Sequence, residues 1–153
     1  MRKKQFDKAL PLLEELLEDR EVDASLYYMA GQCCRFMNQI DDAIQHLEQA
    51  ATLIENLDQN KDNDTYNVFL ALGIALQLAQ RYDESVEELK KAVQLKPPQS
   101  SACNSLGLTY NLMGKYSDAI DSYSEALERH VNEVIDRLEA DTGGTLTNTI
   151  DVR

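Results

Sequence analysis

One spacing constrains this chain more than any other feature. Phe69-Leu70-Ala71-Leu72-Gly73-Ile74-Ala75-Leu76 is followed by Arg81-Tyr82-Asp83-Glu84-Ser85. Cys103-Asn104-Ser105-Leu106-Gly107-Leu108-Thr109-Tyr110 is followed by Lys115-Tyr116-Ser117-Asp118-Ala119. The two align without a gap, 34 residues apart from Gly73 to Gly107 and again from Tyr82 to Tyr116. A third copy, Tyr27 to Cys34 and then Gln39 to Ala43, lies upstream with its Gly31 42 residues before Gly73, so eight residues are inserted between those copies. A partial copy opens the chain: Gln5-Phe6-Asp7-Lys8-Ala9 matches Arg81 to Ser85, and Leu13 and Leu16 match Leu89 and Ala92.

Each full copy reads as two amphipathic helices. Small residues recur where helices must approach closely, at Gly31, Gly73 and Gly107 and at Ala43, Ala50, Ala92, Ala119 and Ala126. One helix pair cannot bury its own apolar face, so the copies must stack. Only 6 Gly and 3 Pro interrupt 153 residues, which leaves long stretches free of breakers. The fold expected is all-α.

These residues resemble the tetratricopeptide repeat (TPR) family. Its pattern has Leu-Gly and an aromatic in a first helix, then an aromatic, Ala, an aromatic or Leu, Ala and a closing Pro in a second. The last copy matches at Leu106, Gly107, Tyr110, Gly114, Tyr116, Ala119, Tyr123 and Ala126. The middle copy matches at Leu72, Gly73, Tyr82, Leu89, Ala92 and Pro97, and departs at Leu76 and Ser85. The first matches at Gly31, Ala43, Leu47 and Ala50, departs at Ala30, Cys34 and Ile40, and lacks the Pro. The resemblance implies one domain over residues 1–140, a right-handed α-solenoid of about three helix pairs. Its units would span about 24–55, 66–98 and 100–128, after a half-unit helix at 3–19. Such an opening fits either a half-unit cap or a piece of a longer protein.

The last helix is expected to run from about Ser117 to Ala140, because Leu127, Val131, Val134, Ile135 and Leu138 continue one apolar stripe. Residues 141–153 read as a flexible tail, in which Leu146, Ile150 and Val152 offer a segment that a groove could hold. The insertion, Glu55 to Asp64, is expected to lengthen a second helix by about two turns before breaking, with Asn63 or Asp64 capping the next helix. Asp58, Asn60, Asp62 and Asp64 have the rhythm of a calcium loop. That loop then needs Gly and Glu where this chain has Asn63 and Phe69, so no metal site is expected.

Composition excludes several functions. The formal net charge is −12, from 15 Lys+Arg against 27 Asp+Glu. Nucleic acid and anionic membrane both need a basic face, so neither is expected as a partner. No signal-like apolar core follows the N-terminal basic residues and no apolar run is long enough to span a bilayer, so a cytoplasmic location is expected. Cys33, Cys34 and Cys103 are odd in number, with two adjacent in one helix, and read as buried reduced thiols. His46 and His130 stand among solvated residues, and Gly143-Gly144 lacks the Lys of a phosphate loop. The reading is not an enzyme, with no cofactor and no metal.

The informative feature is where charge is missing. The first helices, read as Ala24–Phe36, Thr65–Leu78 and Ser100–Met113, hold 41 residues and one formal charge, Arg35. In the family these helices line the concave face, so the resemblance implies a near-neutral groove and an acidic outer face. If the three glycines face the partner helix, helix phase turns another set toward the groove. That set is Tyr28, Gln32, Arg35 and Phe36; Leu70, Ile74, Gln77 and Leu78; Asn104, Leu108, Asn111 and Leu112. Amides there would pair with a peptide backbone while Leu, Ile and Tyr hold its side chains. TPR domains that grip acidic chaperone tails use cationic residues on these helices. The matching places here hold Tyr28, Gln32, Ala71, Asn104 and Leu108, so that ligand is not expected.

The function expected is a protein-binding adaptor or scaffold that takes a partner peptide or amphipathic helix. Two alternatives stand beside it. One is a small bacterial secretion-type chaperone. The other is a homo-oligomer formed through terminal helices, by Phe6, Leu10, Leu13 and Leu17 at one end and Val131 and Leu138 at the other.

Overall fold

The computed structural model describes residues 3–19, 23–56, 63–95 and 99–142. Seven helices and no strands occur among them. They are α1 (Lys3–Asp19), α2 (Ala24–Phe36), α3 (Ile40–Asn56), α4 (Asn63–Leu78), α5 (Tyr82–Val93), α6 (Ser100–Leu112) and α7 (Tyr116–Thr142). Each packs on the next in sequence, and α2, α4 and α6 also touch along one side. The second helices α3, α5 and α7 do not meet one another in this way. The first helices therefore form the crowded inner row of an α-solenoid, and the second helices fan out behind them.

The pairs close on glycine. A Cβ on Gly31 would lie 2.6 Å from Leu47 Cγ, on Gly73 2.5 Å from Leu89 Cγ, and on Gly107 2.8 Å from the Tyr123 ring. Leu47 and Leu89 are fully buried by this contact. At the centre lies α4, whose Tyr66, Val68, Phe69, Leu72, Ala75 and Leu76 are all buried. Tyr66 also accepts a 2.9 Å hydrogen bond from Ala102 N, satisfying an orphan donor in the first turn of α6. The family departure at Ser85 has a physical reason: its buried hydroxyl donates to the Gly73 carbonyl at 2.7 Å.

The turn inside each pair repeats as well. Asn38, Gln80 and Gly114 occupy equivalent places, and all three have positive φ, at 65°, 62° and 74°. The following amide closes each turn, as Gln39 N to the Cys34 carbonyl, Arg81 N to Leu76 and Lys115 N to Tyr110, each at 2.9 Å. Only Gly114 carries the residue that this conformation favours.

The insertion is shared between two helices, which corrects the expectation of a longer second helix alone. α3 runs five residues past the point where α5 ends, and α4 starts three residues before the point where α6 starts. Both extensions gain cover, with Ile54 packed on the core and Thr65 and Tyr66 buried. Asn63 and Asp64 lie within the first turn of α4 instead of capping it, and Asp64 complements the helix dipole there. Asp58, Asn60 and Asp62 fall outside the described residues, as does 143–153. Pro11 stands inside α1 on its exposed side, where it removes one helix hydrogen bond.

Cys33, Cys34 and Cys103 are free and buried. Burial raises all three thiols, and the nearby Asp42 and Glu14 carboxylates add to the effect on Cys34, which is pushed up to about 11.

Four outcomes follow from this packing. Gly73→Ala gains about 1 kcal/mol of helix propensity but overpacks Leu89 by more, for a net loss of about 1–2 kcal/mol in denaturant unfolding. Gln80→Gly relieves a left-handed residue and raises stability by about 1 kcal/mol in the same assay. At pH 8 a disulfide reagent should label all three cysteines in denaturant and none in the native chain. Because the folded thiols ionise later than the unfolded ones, native stability should fall as pH rises above about 9.

Candidate functional site

The inner row places residues of one kind at one height. Counting from each glycine, the first helices present Tyr28, Leu70 and Asn104, then Gln32, Ile74 and Leu108, then Arg35, Gln77 and Asn111, then Phe36, Leu78 and Leu112. The last set forms a ladder. Phe36 is 56% exposed, Leu78 55% and Leu112 50%, and Leu108 stands exposed beside them. Three large apolar side chains held open at equivalent positions are unlike scattered surface leucines, which need no explanation. The amides of Asn104 and Asn111 are exposed on the same side, while Tyr28, Gln32, Arg35, Leu70, Ile74 and Gln77 are half-buried.

Several of these side chains have second duties that helix phase does not show. Gln32 donates through Nε2 to the Tyr28 hydroxyl and accepts through Oε1 from Arg35 Nε, both at 2.9 Å. The Arg35 guanidinium lies 4.6 Å above the centre of the Phe36 ring, and Phe36 stacks on Phe6 of α1 at 4.9 Å. The first unit therefore carries a fixed polar and aromatic chain rather than a loose amide. Leu70 packs against the buried residues of two core clusters and serves the interior as much as the groove. Ala71, compared above with the chaperone-gripping positions, is buried and offers nothing to a ligand.

Charge divides the two sides. α2 and α6 carry only Arg35, and α4 adds Asp64 in its first turn. On the second helices Asp41, Asp42 and Glu48, then Asp83, Glu84 and Glu87, then Asp118, Asp121, Glu125 and Glu128 are exposed. Cations tie this outer surface together: Lys91 bridges to Glu55 of α3 at 2.8 Å and to Glu88 at 3.1 Å. Burial raises the Glu88 carboxyl, and the Lys91 ammonium partly opposes it.

The structure brings together residues that the sequence had assigned to two sites. Phe6 and Leu13 of α1 share one apolar hollow of about 450 Å³ with Tyr28 and Gln32 of α2. Leu10 is half-buried on α1, while Val131 and Leu138 lie exposed near the far end of α7. Sequence reasoning missed Arg129 and Glu133. Arg129 Nη1 donates to the Val93 carbonyl at 3.1 Å and the Gln99 carbonyl at 3.5 Å, and Glu133 Oε1 accepts from Ser100 N at 2.7 Å. These two residues fasten the extended α7 to the junction of the second and third units. Their only sequence signal was an i, i+4 pair of opposite charge, which is common on solvated helix faces.

Among the described residues no three His, Cys, Asp or Glu side chains gather as metal ligands, and no helix is long and apolar enough to cross a membrane. His130 Nδ1 faces Glu133 at 3.6 Å on an exposed surface, an arrangement without a nucleophile.

Comparison with known proteins agrees with this architecture. Residues 24–57, 66–99 and 100–132 match tetratricopeptide repeat families. The chain is 27% identical over 119 residues to the BBSome complex member BBS4 of Bos taurus, covering 78% of this chain and 21% of that protein. It is 38% identical over 55 residues to Tetratricopeptide repeat protein 36 of Caenorhabditis elegans, covering 36% and 31%. It thus spans a fifth to a third of these relatives. A crystal structure of MamA superimposes with a TM-score of 0.74 at 22% identity, over 84% of this chain and 71% of that one. MamA 41-end from Desulfovibrio magneticus RS-1 gives the same score at 18% identity, over 84% and 68%. These solved structures share the fold. With three helix pairs in register on a glycine contact, and all three matched, the chain belongs to the tetratricopeptide repeat family.

Proposed function

We propose that this chain is a non-enzymatic adaptor whose inner row of first helices holds an amphipathic helix or extended segment of a partner protein. The observation that carries the reading is the ladder of Phe36, Leu78 and Leu112, exposed at equivalent heights on a face with almost no charge. Adjacent helices pack about 8–10 Å apart. That spacing is close to seven residues of an α-helix, about 10.5 Å, or three residues of an extended chain, about 10 Å. A partner presenting apolar side chains at either interval meets one rung after another. Leu108 and Ile74 widen the apolar strip, and the exposed amides of Asn104 and Asn111 can pair with partner backbone or polar side chains.

Family membership supports protein–protein interaction as the general role. BBS4 is named as a member of a complex, which agrees with a role in assembly. The charge of −12, held mostly on the outer helices, favours a partner that carries Lys or Arg beside its apolar residues.

The test is Leu78→Glu with Leu112→Glu, used as bait beside the unaltered chain. Both side chains are half exposed, so circular dichroism and the thermal midpoint should be unchanged. Partner affinity should fall at least about tenfold, because each carboxylate interrupts an apolar rung. Retention of the same proteins at the same affinity by both baits would sink the reading.

A further inference from the structure

The only cation of the inner row is oriented and has no acid. Arg35 Nε donates to Gln32 Oε1 at 2.9 Å, and that amide is itself fixed, because Gln32 Nε2 donates to the Tyr28 hydroxyl at 2.9 Å. The guanidinium lies 4.6 Å above the centre of the Phe36 ring, which stacks in turn on Phe6 at 4.9 Å. Gln32 occupies the Nε edge, so the outer edge of the guanidinium, with its two Nη groups, is left for another acceptor. Among the described residues no carboxylate pairs with Arg35. Elsewhere in the chain Arg81 holds Glu84 and Glu48, Arg129 holds Glu125, and Lys91 holds Glu55 and Glu88.

A cation in the last turn of α2 suits the helix dipole. That accounts for the charge and not for its orientation. A mobile Lys would serve the dipole as well, whereas the planar edge of Arg presents two parallel N–H groups that match a carboxylate. The surroundings sharpen the match. Arg35 stands beside Phe36, the first rung, and α4 and α6 carry no Lys or Arg at all. The Asp64 carboxylate sits in the first turn of α4, at the other end of that helix from Leu78. An acid of a bound segment therefore meets a cation at one place on this face, and everywhere else lies nearer to the acids of the second helices.

Resting on the groove reading above, we infer that Arg35 takes a side-chain carboxylate, an Asp or Glu of the bound segment placed beside the apolar residue that meets Phe36. The pair sets direction as well as identity: the acidic end of the segment lies on α2, and its further apolar residues run on to Leu78 and Leu112. A terminal carboxylate needs donors gathered around both oxygens and the neighbouring backbone. Asn104 and Asn111 are two helices away from Arg35, about 16–20 Å, so the single guanidinium edge suits a side chain instead. Arg35 also stands outside the positions compared above with the chaperone-gripping ones.

A display library of random segments of about 20 residues, long enough for two intervals of seven helical residues, tests this without a known partner. The segments are inserted internally, so none ends in a free carboxylate, and a second library leaves the C-terminus free. Selection runs on the unaltered chain and on Arg35→Glu, with circular dichroism showing both equally helical. Both should select apolar residues at the rung intervals. Beside the first of these, the unaltered chain should enrich Asp or Glu, and Arg35→Glu should enrich Lys or Arg. In one selected segment, changing that acid to its amide should weaken binding to the unaltered chain at least about tenfold and leave binding to Arg35→Gln unchanged. A photoreactive group at the acidic end should crosslink to α2 and one at the far end to α6. The inference is overturned by segments with no acid at a fixed place, by an acid preference that survives Arg35→Gln, by reversed crosslinks, or by a preference confined to free C-termini. In each of those cases apolar spacing at the rungs would still uphold the groove reading. Selected segments that bind Leu78→Glu with Leu112→Glu undiminished would sink the groove reading and this inference together.

Discussion

A glycine meeting a branched or aromatic side chain closes each helix pair, and the rest of the molecule depends on that contact. Gly31 on Leu47, Gly73 on Leu89 and Gly107 on Tyr123 bring two backbones closer than any side chain at the glycine would permit. Close approach buries Leu47 and Leu89 completely and sets the phase of each first helix. Once the glycine faces inward, residues one and five positions further along lie about 100° and 140° around the helix, away from that contact. The same contact thus specifies both the interior and the face left exposed. The left-handed residues Asn38, Gln80 and Gly114 repeat the turn between helices, so three units keep one phase and their open positions line up.

Alignment changes what modest contacts can do. One half-exposed leucine binds little, and ordering a partner is costly. Three rungs in register share the cost of ordering one segment. Charge acts differently: the acids lie on the outer helices, away from the rungs, where salt screens them. On the proposed reading, affinity and approach are carried on opposite sides of the same helix pairs. The interior pays attention to polarity too, since the Ser85 hydroxyl and the Tyr66 hydroxyl each satisfy a backbone group of another helix.

Much of this was legible in the sequence, and the parts that were not share a cause. The repeat spacing gave the helix pairs, the glycines gave the phase, and the phase gave Phe36, Leu78 and Leu112. Each of these is a local, periodic property, the kind a single sequence displays. Hidden features join residues with no fixed spacing or turn on rotamers. Arg129 reaches the Val93 carbonyl and Glu133 reaches Ser100, more than thirty residues away. Gln32 looked like a free amide, yet Tyr28 and Arg35 occupy it. Leu70 looked like a groove residue, yet it packs against two buried core clusters. The eight-residue insertion was visible, but its division between α3 and α4 was not, because both flanks hold residues compatible with helix.

The central claim is that a partner lies along the first helices and avoids the acidic second helices. Site-specific photocrosslinking measures this directly, with a photoreactive residue placed singly at Leu78, at Leu112 and at Glu87 on the outer face of α5. The account predicts that one and the same partner crosslinks from positions 78 and 112 and not from 87. Crosslinks that form from 87 while 78 and 112 stay silent would contradict it.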